Sequence, residues 1–387
     1  ARGLGVIGGT VRWLSADLPR PQMQWNQLTV SPQHADDPMF AGLGDSPWVY
    51  FVHSLHSVPD DPSAVVATCD YGGPVGAVVE RANVAGTQFH PEKSAAMGLA
   101  LLGNFAQTGA ADGAGGFTLG STFSGIATLS QANTYTGVTT LSAGAINLGV
   151  AENVGVSGPL GNSAAANPGS IVFSGGTLQY SASNTHDYSG RFSTAANQIY
   201  RADTNSQSVT WASDLTSSGG TLSKLGAGSL TLTGTNTFTG GVTITTGELK
   251  ITNSAALGTG PKTINAQNLG YVTLDGSSGN ISLASNLSFT TAGLSILNLA
   301  GDNVINGTVK TIAGNGTSTI TSDGGSLNLA GNIDSGATGN RILELSGTST
   351  GGNTVSGAIS NGTATLAITK SGTGTWVLSN NSNAYTG

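Results

Sequence analysis

The chain has 387 residues, of which 9% are charged, with a net charge of −7 and a single cysteine, Cys69. That length accommodates two or three domains. The acidic balance lacks the basic surplus of a nucleic-acid binder, and one cysteine excludes both an internal disulfide framework and a Cys-rich zinc site.

Composition changes along the chain. Three of the five Trp, all three Met and four of the five His precede position 107, whereas long stretches beyond about position 113 are built from Gly, Ser, Thr, Asn, Ala, Leu, Val and Ile. Ala1 to Thr10 has neither an initiator Met nor a charged-then-apolar signal pattern, so the chain is expected to start within a longer protein. No run reaches the roughly 18 apolar residues of a membrane-spanning helix.

In the first piece, Trp48-Val-Tyr-Phe-Val-His53 and Ala64-Val-Val-Ala-Thr68 are β-branched and aromatic runs that read as a pair of strands around a Pro/Asp loop. Pro74–Val79 and Ala85–Phe89 continue the strand pattern. Met97, Leu101 and Phe105 then recur every four residues, with Leu102 alongside and Ser94 at the N-cap position, which predicts a closing helix. Between strand and helix lies a tight loop carrying His90 and Glu92, an α/β layout in which chemistry gathers at strand ends. His34 and His56 read as loop residues without a role. Cys69, on a strand without flanking Gly, reads as a small structural residue.

Four ordered strings carry a resemblance: Pro21-Gln-Met-Gln-Trp25-Asn26, Trp48–Ser54, Asp70-Tyr71-Gly72, and Gly86-Thr-Gln-Phe-His90-Pro-Glu92-Lys93-Ser94. Together they resemble the C-terminal half of the glutaminase subunit of imidazole glycerol phosphate synthase, a class I glutamine amidotransferase of histidine biosynthesis. That chemistry needs a thiolate nucleophile, a His to move protons and a carboxylate to orient the imidazole. The resemblance implies that His90 is the general base and acid, that Glu92 orients it, that His53 and Ser54 line the glutamine pocket, and that Trp25 and Lys93 face the cyclase partner. It also implies that the nucleophilic Cys stands upstream of Ala1, outside this chain, so glutaminase turnover is not expected. No metal and no cofactor are expected.

Beyond position 113 the chain repeats itself. Leu129-Ser-Gln-Ala-Asn133-Thr-Tyr135-Thr-Gly137 matches Leu232-Thr-Gly-Thr-Asn236-Thr-Phe238-Thr-Gly240, and a third copy runs from Lys370-Ser-Gly-Thr-Gly374 to Asn383-Ala-Tyr385-Thr-Gly387. The second copy has the matching lead-in Lys224-Leu-Gly-Ala-Gly228. This pattern resembles the passenger-associated transport repeat of autotransporters. Weaker units such as Gly176–Tyr180 and Gly325–Ala330 extend it. Alternating Leu/Val/Ile with Ser/Thr gives strands with one buried face, and Gly and Asn supply positive-φ corners. Stacked rungs then make the core that no single rung has, a right-handed parallel β-helix. Disorder is the competing expectation for so polar a composition; the regular apolar alternation opposes it. The acidic residues from Glu152 to Glu344 are scattered, and His186 with Asp187 reads as a surface loop, so no lyase-like or hydrolase-like site is evident.

The expected domains are 1–107, a partial amidotransferase lobe; 108–116, a junction; and 117–387, a transport-repeat solenoid cut short at its C-terminus. The expected partners are the cyclase subunit for the first piece and the outer-membrane translocation machinery for the second, with no nucleic acid. Localisation conflicts: cytoplasmic for 1–107, cell surface or extracellular in a Gram-negative envelope for 117–387. The leading reading is a chimeric or misassembled fragment without a competent active site. One alternative is part of an active amidotransferase whose missing half is encoded upstream; another is an extracellular structural or adhesive solenoid with an inert cap. The half-domain is expected to pack poorly and leave apolar edges exposed.

Overall fold

The computed structural model describes residues 7–35, 37–40, 42–81, 84–105, 113–291, 293–311, 316–336 and 339–387. The predicted junction falls largely on 106–112, outside the described residues. The chain divides into two units, Ala1–Ala110 and Ala111–Gly387.

In the first unit, β1 (Gly9–Trp13), β2 (Gln22–Gln27), β3 (Thr29–Val30), β4 (Trp48–His53), β5 (Leu55–Pro59), β6 (Val65–Asp70), β7 (Pro74–Arg81) and β8 (Val84–Thr87) precede the helix α1 (Ala95–Phe105). They form three sheets, β1-β5, β2-β4 and β3-β6-β7-β8, and every pairing among the described residues is antiparallel. The two runs expected to pair with each other do not. Trp48–His53 pairs with Gln22–Gln27 instead, and Val65–Asp70 lies between Thr29–Val30 and Pro74–Arg81. Apolar alternation fixes which face of a strand is buried, not which strand lies beside it. His56 is a strand residue on β5, not a loop residue; His34 ends a short 3₁₀ turn, Pro32–His34, with Nδ1 3.8 Å from Asp37 Oδ2.

The unit has a core of its own, including Leu14, Leu28, Phe51, Val66, Val78, Phe89 and Leu101. Poor packing is therefore not what is found. Exposed apolar surface is present, as expected: Val11 and Trp13 on β1, Met23 and Trp25 on β2, and Trp48 on β4. Met23, Trp25 and Gln27 stand opposite Val52, Tyr50 and Trp48, so these side chains share one sheet face.

The second unit is a parallel β-solenoid. Its longest sheet path runs through eleven strands in chain order, from Ile126–Leu129 to Leu366–Lys370. Inward residues stack in columns. Leu222, Val242, Ile264, Phe289, Val309 and Ile333 are successive register partners, as are Leu230, Leu249, Val272, Ile296, Ile320 and Leu345. A third column holds Leu283, Ile305, Leu329, Val355 and Leu378. These side chains are buried, apart from Leu378 in the last rung. Both weaker repeat units form strands, Thr177–Gln179 and Ser326–Leu329.

The corners need glycine. Gly226 turns at φ +68°, and a Cβ there would lie 2.0 Å from Asp203 Oδ1. Aspartates staple successive rungs by accepting backbone hydrogens: Asp187 from Ala212 N at 2.8 Å, Asp214 from Thr235 N at 2.7 Å, Asp302 from Ser326 N at 3.0 Å and Asp323 from Thr348 N at 3.0 Å. Asp187, partly exposed in the expected loop, accepts from Ser189 N and Ala212 N and so joins two rungs.

Candidate active site

The loop after β8 is held in place from three sides. His90 N donates to Tyr50 O on β4 at 3.0 Å. Ser94 Oγ, fully buried, donates to His90 O at 2.6 Å and accepts from Tyr50 N at 2.9 Å. The expected N-cap side chain is therefore spent on the loop rather than on α1, whose first residue, Ala95, stands at φ +50°, a conformation uncommon outside glycine. Gly98 lets α1 approach closely, since a Cβ there would stand 1.9 Å from Pro91 O. Pro91–Lys93 forms one 3₁₀ turn, and across it His90 Nδ1 meets Glu92 Oε1 at 2.8 Å. That hydrogen bond is the main cause that lowers the Glu92 carboxyl pKa. An ionised Glu92 accepts from Nδ1 and holds the ring in one orientation, with Nε2 at the opposite edge.

The other predicted pocket residues are placed differently. His53 Nδ1 lies 2.9 Å from Leu55 O, and Nε2 lies 2.9 Å from the Gln22 side-chain amide. The other end of that amide stands 3.9 Å from Cys69 Sγ. Burial lowers the His53 pKa and favours the neutral ring. Gln22 bridges the two residues, with its Oε1 facing His53 Nε2 and its Nε2 donating to Cys69 Sγ. Cys69, Gln22, His53 and Leu55 thus form one chain of polar contacts.

Cys69 is 1% exposed, and burial raises its pKa, which disfavours thiolate. No hydrogen bond joins it to His90 among the described residues. Ser54 anchors the chain through its carbonyl, which accepts from Leu14 N at 3.0 Å. Trp25 and Lys93 are exposed, with Trp25 edge-on to Tyr50 at 5.9 Å between centroids. The structure thus brings His90 and Glu92 together and ties His53 to Gln22, a residue that sequence reading did not single out.

A second buried polar cluster, in the solenoid, was not anticipated either. Arg191 Nη1 lies 3.4 Å from Glu152 Oε1, with both side chains 2% exposed. Tyr188 OH donates to Glu152 Oε2 at 2.8 Å, and Asn184 Nδ2 donates to Tyr188 OH at 2.9 Å. Arg191 also donates to Leu160 O and Ser170 Oγ. Every member is engaged and closed to solvent, so the cluster is structural. Among the described residues, no group of three or more His, Cys, Asp or Glu could hold a metal ion.

The loop thus presents a His–Glu pair beside a docked helix. Residues 6–107 match the glutamine amidotransferase class-I family model, and residues 124–148, 222–251 and 368–387 match the passenger-associated-transport-repeat model. Among curated proteins, the imidazole glycerol phosphate synthase subunit HisH of Rhodospirillum rubrum is 49% identical over 107 residues, 27% of this chain and 49% of the relative. The subunits of the same name from Mesorhizobium japonicum and Synechococcus sp. are 47% and 45% identical, over the same 27% of this chain and 49% of each relative. The chain therefore spans about half the length of the curated relatives it matches. It joins an amidotransferase-like lobe to a repeat-bearing parallel solenoid.

Proposed function

We propose that this chain is a chimera of a catalytically idle amidotransferase lobe and an exported passenger solenoid. The observation that carries this reading is a His–Glu pair with no thiolate beside it among the described residues. His90 and Glu92 are paired at 2.8 Å, whereas the one thiol of the chain is buried, protonated and committed to Gln22. Without a thiolate opposite His90 Nε2, a glutamine amide has no nucleophile with which to form a thioester. By resemblance, Trp25 and Lys93 belong to the face toward a cyclase, His53 and Ser54 to the glutamine pocket, and the repeats to a protein handled by outer-membrane translocation and displayed outside the cell. The test is ammonia release from glutamine by the full chain. Background rates are expected for both the parent and His90→Ala. Release that exceeds background and vanishes in His90→Ala would overturn the idle-lobe assignment.

One observation favours a second reading, in which the lobe works with a separately encoded half. The matched relatives are twice as long as the matched segment, and Met23, Trp25 and Trp48 leave an apolar sheet face exposed. Coexpression with the N-terminal half of such a relative decides between the two. Glutaminase activity that depends on His90 and on the added half's cysteine supports the second reading; background rates support the first.

A further inference from the structure

Outward side chains are distributed unevenly around the solenoid. One face is shared by Thr221–Leu225, Val242–Ile251, Lys262–Asp275, Leu287–Thr291 and Thr308–Thr311. There one outward column runs through Ser223, Thr243, Asn265 and Thr290 in successive register. A second column, two residues earlier on each strand, runs through Thr263, Ser288 and Thr308. None of these side chains is buried, and they alternate with buried apolar ones such as Val242, Ile264, Phe289 and Val309. Charge enters only at the margins, where Arg201 is the register partner of Ser223 and Lys310 that of Thr290. The other faces differ. Glu248, Lys250 and Tyr271 stand together on the second, with Lys250 Nζ 4.0 Å from Asp275 Oδ2. Asp302, Val304 and Val377 stand on the third.

The hydroxyl face is ordered in both directions. Thr290 Oγ1 donates to Asn265 Oδ1 at 3.1 Å, and Thr308 Oγ1 donates to Ser288 Oγ at 3.1 Å. These bonds restrict the rotamers and leave each hydroxyl with further acceptor capacity. Backbone pairing sets the spacing: rungs lie about 4.8 Å apart, and alternate residues of one strand about 6.6 Å apart. The polar groups therefore form a rectangular net. A hydroxyl exchanges a hydrogen bond with water for one with a partner at small net gain, so an occupant that offers one or two groups gains little here. Between the margins the face presents no ionised side chain to draw a charged partner and no aromatic ring to seat a sugar ring. A neutral rectangular net complements a solid that repeats donors and acceptors at the same scale, as the prism faces of ice do.

We infer that this face binds ice. The hydroxyls of the two columns and the Asn265 amide take the places of water molecules at the crystal surface, and the parallel register holds them in step with it. The lack of charge between the margins serves that role, because a compact ionised group such as a lysine ammonium keeps its own strong hydration and would interrupt the lattice. Individually weak contacts suffice, since the whole net engages at once. The assignment is independent of any activity of the first unit.

The test uses the full chain and ice itself. A single ice crystal grown in the protein solution should become faceted, and recrystallisation of polycrystalline ice should be inhibited. Thr243→Lys with Thr290→Lys should weaken the inhibition about tenfold or more. Thr210→Lys with Thr321→Lys adds the same charge on the second face and should leave it unchanged. Circular dichroism checks that both double variants keep the parent's fold. Thr243→Val with Thr290→Val keeps the β-branched shape without the hydroxyls and should also weaken inhibition, so the test survives misfolding of the lysine variant. Unfaceted crystals and no inhibition by the parent would overturn the assignment, as would equal loss in the two lysine pairs or full inhibition by the valine pair. Two other occupants have their own readouts. Retention on insoluble cellulose or chitin that only the Thr243/Thr290 variants lose, without an effect on ice, would assign the face to a polysaccharide. Concentration-dependent dimers that those variants disperse, again without an effect on ice, would assign it to a second copy of the chain. Either result would overturn the inference.

Discussion

Cys69 and His90 show how much a single side chain's surroundings decide. A thiol at 1% exposure with burial raising its pKa is protected in the folded chain. Cys69 is therefore expected to resist a thiol reagent such as DTNB in buffer and to react fully in denaturant; rapid labelling of the folded chain would contradict this. The buried Glu152–Arg191 pair makes a sharper energetic prediction. Removing one partner leaves an uncompensated buried charge, so Arg191→Met should cost about 3–5 kcal/mol. Adding Glu152→Gln should recover much of that loss, and urea unfolding of the single and double variants measures both. This cluster was not legible in the sequence, because its members are 39 residues apart in chain segments without a repeat pattern. His90 and Glu92 were legible because one short loop holds both.

Buried lysines and tyrosines give the solenoid a pH dependence. Lys224 and Lys262 are each pulled down to about 8 by burial. Between that value and the unfolded lysine pKa, the unfolded chain binds more protons, so stability rises as pH increases from about 8 toward 10. Burial pushes Tyr135 and Tyr200 up to about 12. Between the unfolded tyrosine pKa of about 10 and that value, the folded chain binds more protons, so stability falls as pH rises further. Urea midpoints are therefore expected to peak near pH 10, and Lys224→Met should flatten the rising limb.

At the scale of elements, periodicity located α1 and most strands, since apolar spacing reflects which face meets the core. Met97 packs on that core and Leu101 is buried in it, as the four-residue spacing requires. Pairing was not legible: β4 lies beside β2, twenty-odd residues upstream, and not beside the run that follows it. The sequence pattern puts Ser94 at the cap position, yet its hydroxyl joins Tyr50 to His90. Ser94→Ala should therefore leave the partly buried Tyr50 N–H without its partner and destabilise the first unit by about 1–3 kcal/mol, with faster amide exchange at Tyr50 as the specific readout. An effect confined to α1 amides would restore the capping role.

Across the whole molecule, two units with separate cores call for separate unfolding. Trp13, Trp25 and Trp48 report on the first unit, and Trp211 and Trp376 on the second. Two resolved transitions are expected on denaturant titration, and a single coincident transition by fluorescence and circular dichroism would argue for one cooperative body. The sequence by itself determined that the chain changes character near position 110, that one half carries a His–Glu loop and that the other stacks repeats, because composition, motif and period are local properties. Only the tertiary structure decided that Gln22 bridges the buried thiol and His53, that Arg191 pairs with Glu152, and that Lys224 reaches the following rung. Those contacts join residues tens of positions apart, and packing alone selects which distant polar groups satisfy one another when water is removed.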